Sequence, residues 1–244
     1  MADRVALIPG GARGIGRAIA LRLAERGWAV AVAYRTSDAA AEDTRRAALA
    51  TGAAALALRA DVSRPEECED LVRRVVEWKG RLDALVNCAG PYRRVDILAE
   101  TPEGWREMFA GNLDCLFYLA RAAVPKMIEG GGGRIVAFSM VNADRLVAQP
   151  NLTAHYLAKV GVLGLVRTLA KALARHQITV NAVSPGYIDS GSMDPAELRS
   201  MADKIPAGHV GSVDDAAAAA LFFLSAEAAY VTGANLQVSG GWGI

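Results

Sequence analysis

A chain of 244 residues, 52% hydrophobic and 22% charged, has globular composition and can bury a sizeable core without staples. Its 27 Lys+Arg against 26 Asp+Glu leave a net charge of +1, and the basic residues are scattered, which argues against nucleic acid or an acidic membrane surface as partner. Cys68, Cys88 and Cys115 are odd in number and widely spaced, which argues against a disulfide framework or a zinc site and for a cytoplasmic setting.

The N-terminal stretch MADRVALIPGG lacks a charged leader followed by a long apolar run, so no secretory segment is expected. From there the chain alternates short β-branched runs with longer helical patterns. Residues 4–8 read as a strand, followed by a glycine turn and a helix over 14–26 with Ile15, Ile19, Leu23 and Ala24 on one face. Strands are predicted at 28–33 and 55–60, with a helix at 38–50 between them. A helix over 65–78 starts with proline in its first turn. Residues 82–87 form a fourth strand, and 102–128 a helix in two or more pieces. A strand over 134–138, a long helix over 155–175 and a strand over 178–183 follow. A helix over 213–224 and a last strand over 234–238 close the chain. The Ala-rich segment 214–230 holds Asp215 and Glu227, so a packed helix is expected there and not a membrane span.

Strongly apolar strands alternating with helices predict an α/β fold. The expected architecture is a single-domain, Rossmann-type, doubly wound parallel sheet with helices on both faces, spanning residues 1–244. A short substrate lid is expected near 190–206, where Met193, Leu198 and Met201 make a partly apolar wall.

The turn Gly10-Gly11-Ala12-Arg13-Gly14-Ile15-Gly16 lies between the first strand and the first helix. Small residues there let the backbone approach a diphosphate, and the helix N-terminus offers free N–H groups and a positive dipole. An acid about 20 residues past the glycines would bind a ribose 2′-hydroxyl; this chain has Ala33-Tyr34-Arg35-Thr36-Ser37 instead. Arg13 and Arg35 suit a 2′-phosphate, which favours NADP(H) over NAD(H). Asp61-Val62 follows the third strand, where the carboxylate can accept from an adenine amino group or cap the next helix. Asn87-Cys88-Ala89-Gly90 follows the fourth strand, with small residues beside the cofactor.

Taken together these residues resemble the short-chain dehydrogenase/reductase family across essentially the whole chain, and within it the 3-oxoacyl-carrier-protein reductase branch. GGARGIG looks like the cofactor turn of that family, NCAG (87–90) is similar to its NNAG motif, and Asn112 in GNLDCLF matches a helix-bending asparagine. Lys159 looks like its active-site lysine, and ITVNAVSPG (178–186) and the ending YVTG (230–233) are typical. The resemblance implies hydride transfer between a nicotinamide and a small carbonyl or alcohol substrate by a Ser–Tyr–Lys–Asn constellation. It also implies cofactor contacts from Pro185, Gly186, Ile188 and Ser190, with Lys159 on the ribose. Relatives are often homotetramers built on the two long helices and the C-terminal strand.

The catalytic end departs from that pattern. Four residues before Lys159 stands His155; Tyr156 is one residue too close. Either His155 replaces the phenol as acid/base, or a local bulge swings Tyr156 into place, or neither acts. Met140 stands where the serine is usual, and strand alternation turns Ser139 to the opposite face. The loop from Met140 to Lys159 is about two residues longer than usual, so Asn142, Asp144, Arg145 or Thr153 could supply the missing polar group. These departures leave open a dinucleotide-binding protein in a regulatory or partner role, or reduction of a C=N (pterin or imine) substrate.

Overall fold

The computed structural model describes residues 4–191 and 194–243. A parallel seven-stranded sheet forms the centre, in the order β3-β2-β1-β4-β5-β6-β9. Its strands are β1 (Val5–Pro9), β2 (Ala29–Tyr34), β3 (Ala55–Arg59), β4 (Ala84–Asn87), β5 (Gly133–Phe138), β6 (Ile178–Pro185) and β9 (Asn235–Val238). The order reverses between β1 and β4, which opens a crevice beyond the carboxyl ends of those two strands, where ligands of such sheets bind. The register is continuous, with Val5 opposite Ala29 and Ile8 opposite Val32.

Period-two alternation explains how one apolar strand serves two layers. Val5 and Leu7 pack with α3 (Pro65–Lys79), α5 (Cys115–Glu129) and α6 (Thr153–Leu173), while Ala6 and Ile8 pack with α1 (Gly14–Ala24) and α8 (Val213–Leu224). The remaining helix of the second face, α2 (Asp38–Ala50), has the predicted bounds. Among the described residues no helix is long and apolar enough to cross a membrane.

Two segments, one divided as the sequence suggests and one starting early, matter for the site. The predicted 102–128 helix divides into α4 (Pro102–Phe109), a π-helical turn (Ala110–Asp114) and α5. The π turn bulges the helix at Asn112, a geometry common at functional positions. The long helix α6 starts at Thr153, two residues early, and is continuous through His155, Tyr156 and Lys159. The bulge that would swing Tyr156 toward the phenol position is therefore not present. Beyond β6, a two-residue pair β7 (Ile188–Asp189) and β8 (Gly211–Ser212) brackets α7 (Pro195–Ala202), which lies within the segment expected to be the lid. Leu198 and Met201 lie on α7; Met193 falls outside the described residues.

Candidate functional site

The crevice at the β1/β4 switch point is a cleft of about 780 Å³. The β1–α1 turn forms its floor because only glycine fits there. Gly10 sits at φ +77°, and a Cβ on it would lie 2.7 Å from the backbone of Cys88 and Ala89. A Cβ on Gly16 would lie 2.4 Å from the Gly10 carbonyl oxygen. Among the described residues no side chain caps the N-terminus of α1, and no acid stands in its first turn. Its N–H groups and positive end are thus left for an anion.

Around this floor the cleft gathers Arg13, Gly14, Ile15, Arg35, Asp61, Val62, Ala89, Gly90, Pro185, Ile188 and Ser190. Arg13 and Arg35 are exposed at its mouth. Asp61 accepts from the Ser63 N–H (3.1 Å) and hydroxyl (2.7 Å). Burial pulls its carboxyl up, but these bonds and the charges of Arg35 and Arg64 outweigh it, so Asp61 sits below the usual carboxylate range. It therefore holds an Asx turn and does not cap α3, whose N-cap is Arg64. Asn87 and Gly186 stand behind the wall. Asn87 accepts from the Ala89 N–H (3.2 Å) and so braces the 88–90 turn, and a Cβ on Gly186 would meet Ser239 at 3.0 Å.

Of the catalytic candidates Ser139 lines this cleft, while Asn112, His155 and Lys159 are buried beside it and bond to the carbonyls of its lining residues Pro91 and Phe138. Lys159 is 7% exposed and donates from Nζ to the Phe138 carbonyl (2.8 Å). Burial brings its ammonium down to about 8. Ser139, expected on the opposite face, lines the cleft and donates from Oγ to the Lys159 carbonyl (2.8 Å). That bond uses its one hydroxyl proton, so Ser139 faces a substrate as an acceptor. Met140 is half-buried and packs on the core. Asn112 donates from Nδ2 to the carbonyls of Met108 (2.9 Å) and Pro91 (3.0 Å); its buried Oδ1 has no partner among the described residues. A Cβ on Gly90 would lie 2.4 Å from that oxygen and 3.3 Å from Lys159 Nζ, so Gly90, Asn112 and Lys159 converge on one spot.

His155 and Tyr156 have different environments. Tyr156 is 3% exposed; its hydroxyl donates to the Asn142 carbonyl (3.0 Å) and accepts from the Val147 N–H (2.8 Å). Its phenol is thus committed to holding the long 140–152 loop. His155 lies one helical turn before Lys159, with Nδ1 3.1 Å from the Pro91 carbonyl and its ring edge-to-face with Tyr92 at 5.2 Å. Burial, and then the Lys159 charge, lower the imidazole to about 4, against the opposing pull of the Pro91 bond. The loop candidates are engaged elsewhere: Asp144 accepts from Gln237 Nε2 (3.1 Å), Thr153 donates to the Gln149 carbonyl (2.8 Å), and Arg145 is exposed. Asn142 adopts φ +65°, with its amide group beside Gly243.

Sequence reasoning missed Pro91 and Tyr92. Both line the cleft, and Tyr92 is 65% exposed in it. An aromatic directly after the Asn-Cys-Ala-Gly-Pro turn was the available signal.

Known proteins resemble the chain along nearly its whole length. The family described as enoyl-(acyl carrier protein) reductase matches residues 10–243. The 3-oxoacyl-(acyl-carrier-protein) reductase of Staphylococcus aureus is 37% identical over 239 residues, covering 97% of this chain and 96% of that relative. The acetoacetyl-CoA reductase of Allochromatium vinosum is 37% identical over 243 residues, covering 98% of each chain. Among solved structures, acetoin dehydrogenase YohF from Salmonella typhimurium superposes with a TM-score of 0.90 at 31% identity, covering 98% of this chain and 96% of that one.

Proposed function

The chain belongs to the short-chain dehydrogenase/reductase family, and from that membership we propose an NADP-preferring oxidoreductase of small carbonyl or alcohol substrates in which His155 stands in for the usual phenol. Nicotinamide-dependent hydride transfer of the 3-oxoacyl-reductase type is the activity its relatives support. One observation carries the reading at each end: the cradle that a Cβ on Gly10 or Gly16 would fill, and the imidazole held one turn before Lys159.

The residues present fit a dinucleotide. The N–H groups of residues 14–16 would hold the diphosphate, Arg13 and Arg35 a 2′-phosphate, Asp61 and Val62 the adenine, and Ile188 and Ser190 the nicotinamide side. When bound, the nicotinamide supplies or receives the hydride. Lys159, held by the Phe138 carbonyl, keeps a positive charge at the reacting end below about pH 8 and so favours a developing oxyanion. His155 moves the proton of the substrate hydroxyl, and Ser139, whose own hydrogen goes to the Lys159 carbonyl, lines the cleft. The segment around α7 covers the substrate.

The exposed Phe117 on α5 and Leu157 on α6 support pairing of these helices between copies, with exposed Leu236 on β9 supporting a second contact, as a soluble cytoplasmic homotetramer requires. Titration of the purified protein with NADPH and NADH, followed by turnover of diacetyl, acetoacetyl-CoA and a cyclic imine, tests the proposal. Tighter binding of NADPH and turnover of a ketone are expected. Tight cofactor binding with no turnover of any of the three would favour a non-catalytic role, and turnover of the imine alone a C=N reductase.

A further inference from the structure

The imidazole of His155 has a property that a phenol in its place would lack: its two nitrogens are distinct, and one is assigned by its partner. The Pro91 carbonyl can only accept, so the Nδ1 facing it at 3.1 Å carries the hydrogen. Asn112 donates to the same carbonyl at 3.0 Å and to Met108 at 2.9 Å, which fixes the carbonyl between the π turn and α6. Tyr92 meets the ring edge-on and restricts its rotation. In the neutral ring, Nε2 is then a bare acceptor.

We propose that the Pro91 carbonyl locks His155 in the Nδ1–H tautomer, so that the free enzyme at neutral pH is poised to take a proton from a substrate hydroxyl and oxidise a secondary alcohol, while the reverse reduction must first load a proton on Nε2. This inference rests on His155 being the acid/base group proposed above. In the oxidative direction the O–H bond of the alcohol breaks and its proton passes to Nε2. The carbinol C–H bond breaks with its electron pair, which leaves as hydride to oxidised NADP, and a C=O bond forms. The alcohol is oxidised, the nicotinamide is reduced, and the proton on Nε2 then passes to water.

The surroundings keep the ring neutral. From its own helix the facing charge is Lys159; from the 88–92 turn, Tyr92. α4 carries Glu103, Arg106 and Glu107, all exposed, and the 140–152 loop carries exposed Asp144 and Arg145; Asp114 of the π turn is half-exposed. Of these groups only Lys159 shifts His155, and it pushes downward, in the same direction as burial, leaving the imidazole at about 4.

The chain has three histidines, so side-chain nitrogen NMR of labelled protein resolves them, with His155→Asn assigning the signal. The expected result, with or without NADP, is a proton on Nδ1, a bare Nε2, and no titration above about pH 5. A proton on Nε2, or a midpoint near the ordinary histidine value of about 6.5, would overturn the proposal. Kinetics supply a second readout, with acetoin plus NADP and diacetyl plus NADPH as probes. Between about pH 5.5 and 7.5 the reduction should fall about tenfold per pH unit while the oxidation stays flat. A flat reduction profile would contradict the proposal even with both probes turned over. Absence of turnover would instead remove the acid/base role of His155, leaving the tautomer to the NMR result.

Discussion

The two ends of the cleft follow different rules. In the proposed function, binding at the β1–α1 turn is done by backbone, and the side chains serve by being absent: Gly10 and Gly16 leave room that a single methyl would occupy. At α6 the proposed chemistry depends on where individual side chains point, and a shift of one residue separates a loop-bound phenol from an imidazole bonded to the Pro91 carbonyl. Tyr156 and His155 are neighbours on one regular helix, yet one is tied to the 140–152 loop and the other to the Pro91 carbonyl. A helical step of about 100° is enough for that division. Backbone sites tolerate sequence drift as long as the small residues stay, whereas side-chain sites are re-registered by a short insertion.

The largest effect expected at the backbone end is from Gly16→Val. A Cβ 2.4 Å from the Gly10 carbonyl forces the turn open, which should weaken NADPH binding by about 3 kcal/mol, on the order of 100-fold, in a fluorescence titration. Unchanged affinity in a folded variant would break the comparison at its backbone end.

At the side-chain end, Lys159→Met removes the charge that lowers His155. Turnover should fall by roughly 10²–10³-fold, and the His155 titration midpoint should rise from about 4 because one of its two depressing causes is gone. A midpoint that stays put would show the two groups to be uncoupled.

Acid stability separates the same groups. A histidine that titrates at about 4 when folded and near 6.5 when unfolded binds more protons in the unfolded chain between those values. Stability is therefore full above about pH 6.5 and declines as pH falls toward 4, by up to about 3 kcal/mol. Denaturant melts should show this slope in the parent and lose most of it in His155→Asn. An identical slope in both would place His155 in contact with solvent.

The smallest effect belongs to the cleft's mouth. Arg35→Ala should weaken NADPH by about 1–2 kcal/mol and leave NADH nearly unchanged, since one exposed charge-assisted contact is removed. Equal losses for both nucleotides would mean that Arg35 does not read the 2′ position.

The fold was legible because apolar runs and their spacing set it locally: Asp38–Ala50 and Val213–Leu224 have the bounds that pattern predicts. The glycine turn was legible because each residue does its work where it stands in the chain. The catalytic end was only half legible. Sequence spacing located His155, Tyr156 and Lys159, but their division depended on the Pro91 and Asn142 carbonyls, 64 and 14 residues away, which no periodicity reports. Ser139 was placed on the wrong face because Met140 was taken as the site position; Ser139 in fact continues the alternation of Ile135 and Ala137 toward α6, and Met140, past the end of β5 at Phe138, packs on the same side. The helix α7 and the small β7–β8 pair went unread as elements, being short and without a strong apolar stripe.

The central claim is that the acid/base group has moved from phenol to imidazole, and paired variants test it most directly. His155→Ala should lower diacetyl or acetoacetyl-CoA turnover by about 10²–10⁴-fold with NADPH affinity intact. Tyr156→Phe should keep turnover within a few-fold and instead lose about 1–2 kcal/mol of stability as the Val147 N–H and Asn142 carbonyl lose their partner. The opposite order, with turnover abolished by Tyr156→Phe and retained by His155→Ala, would contradict the account.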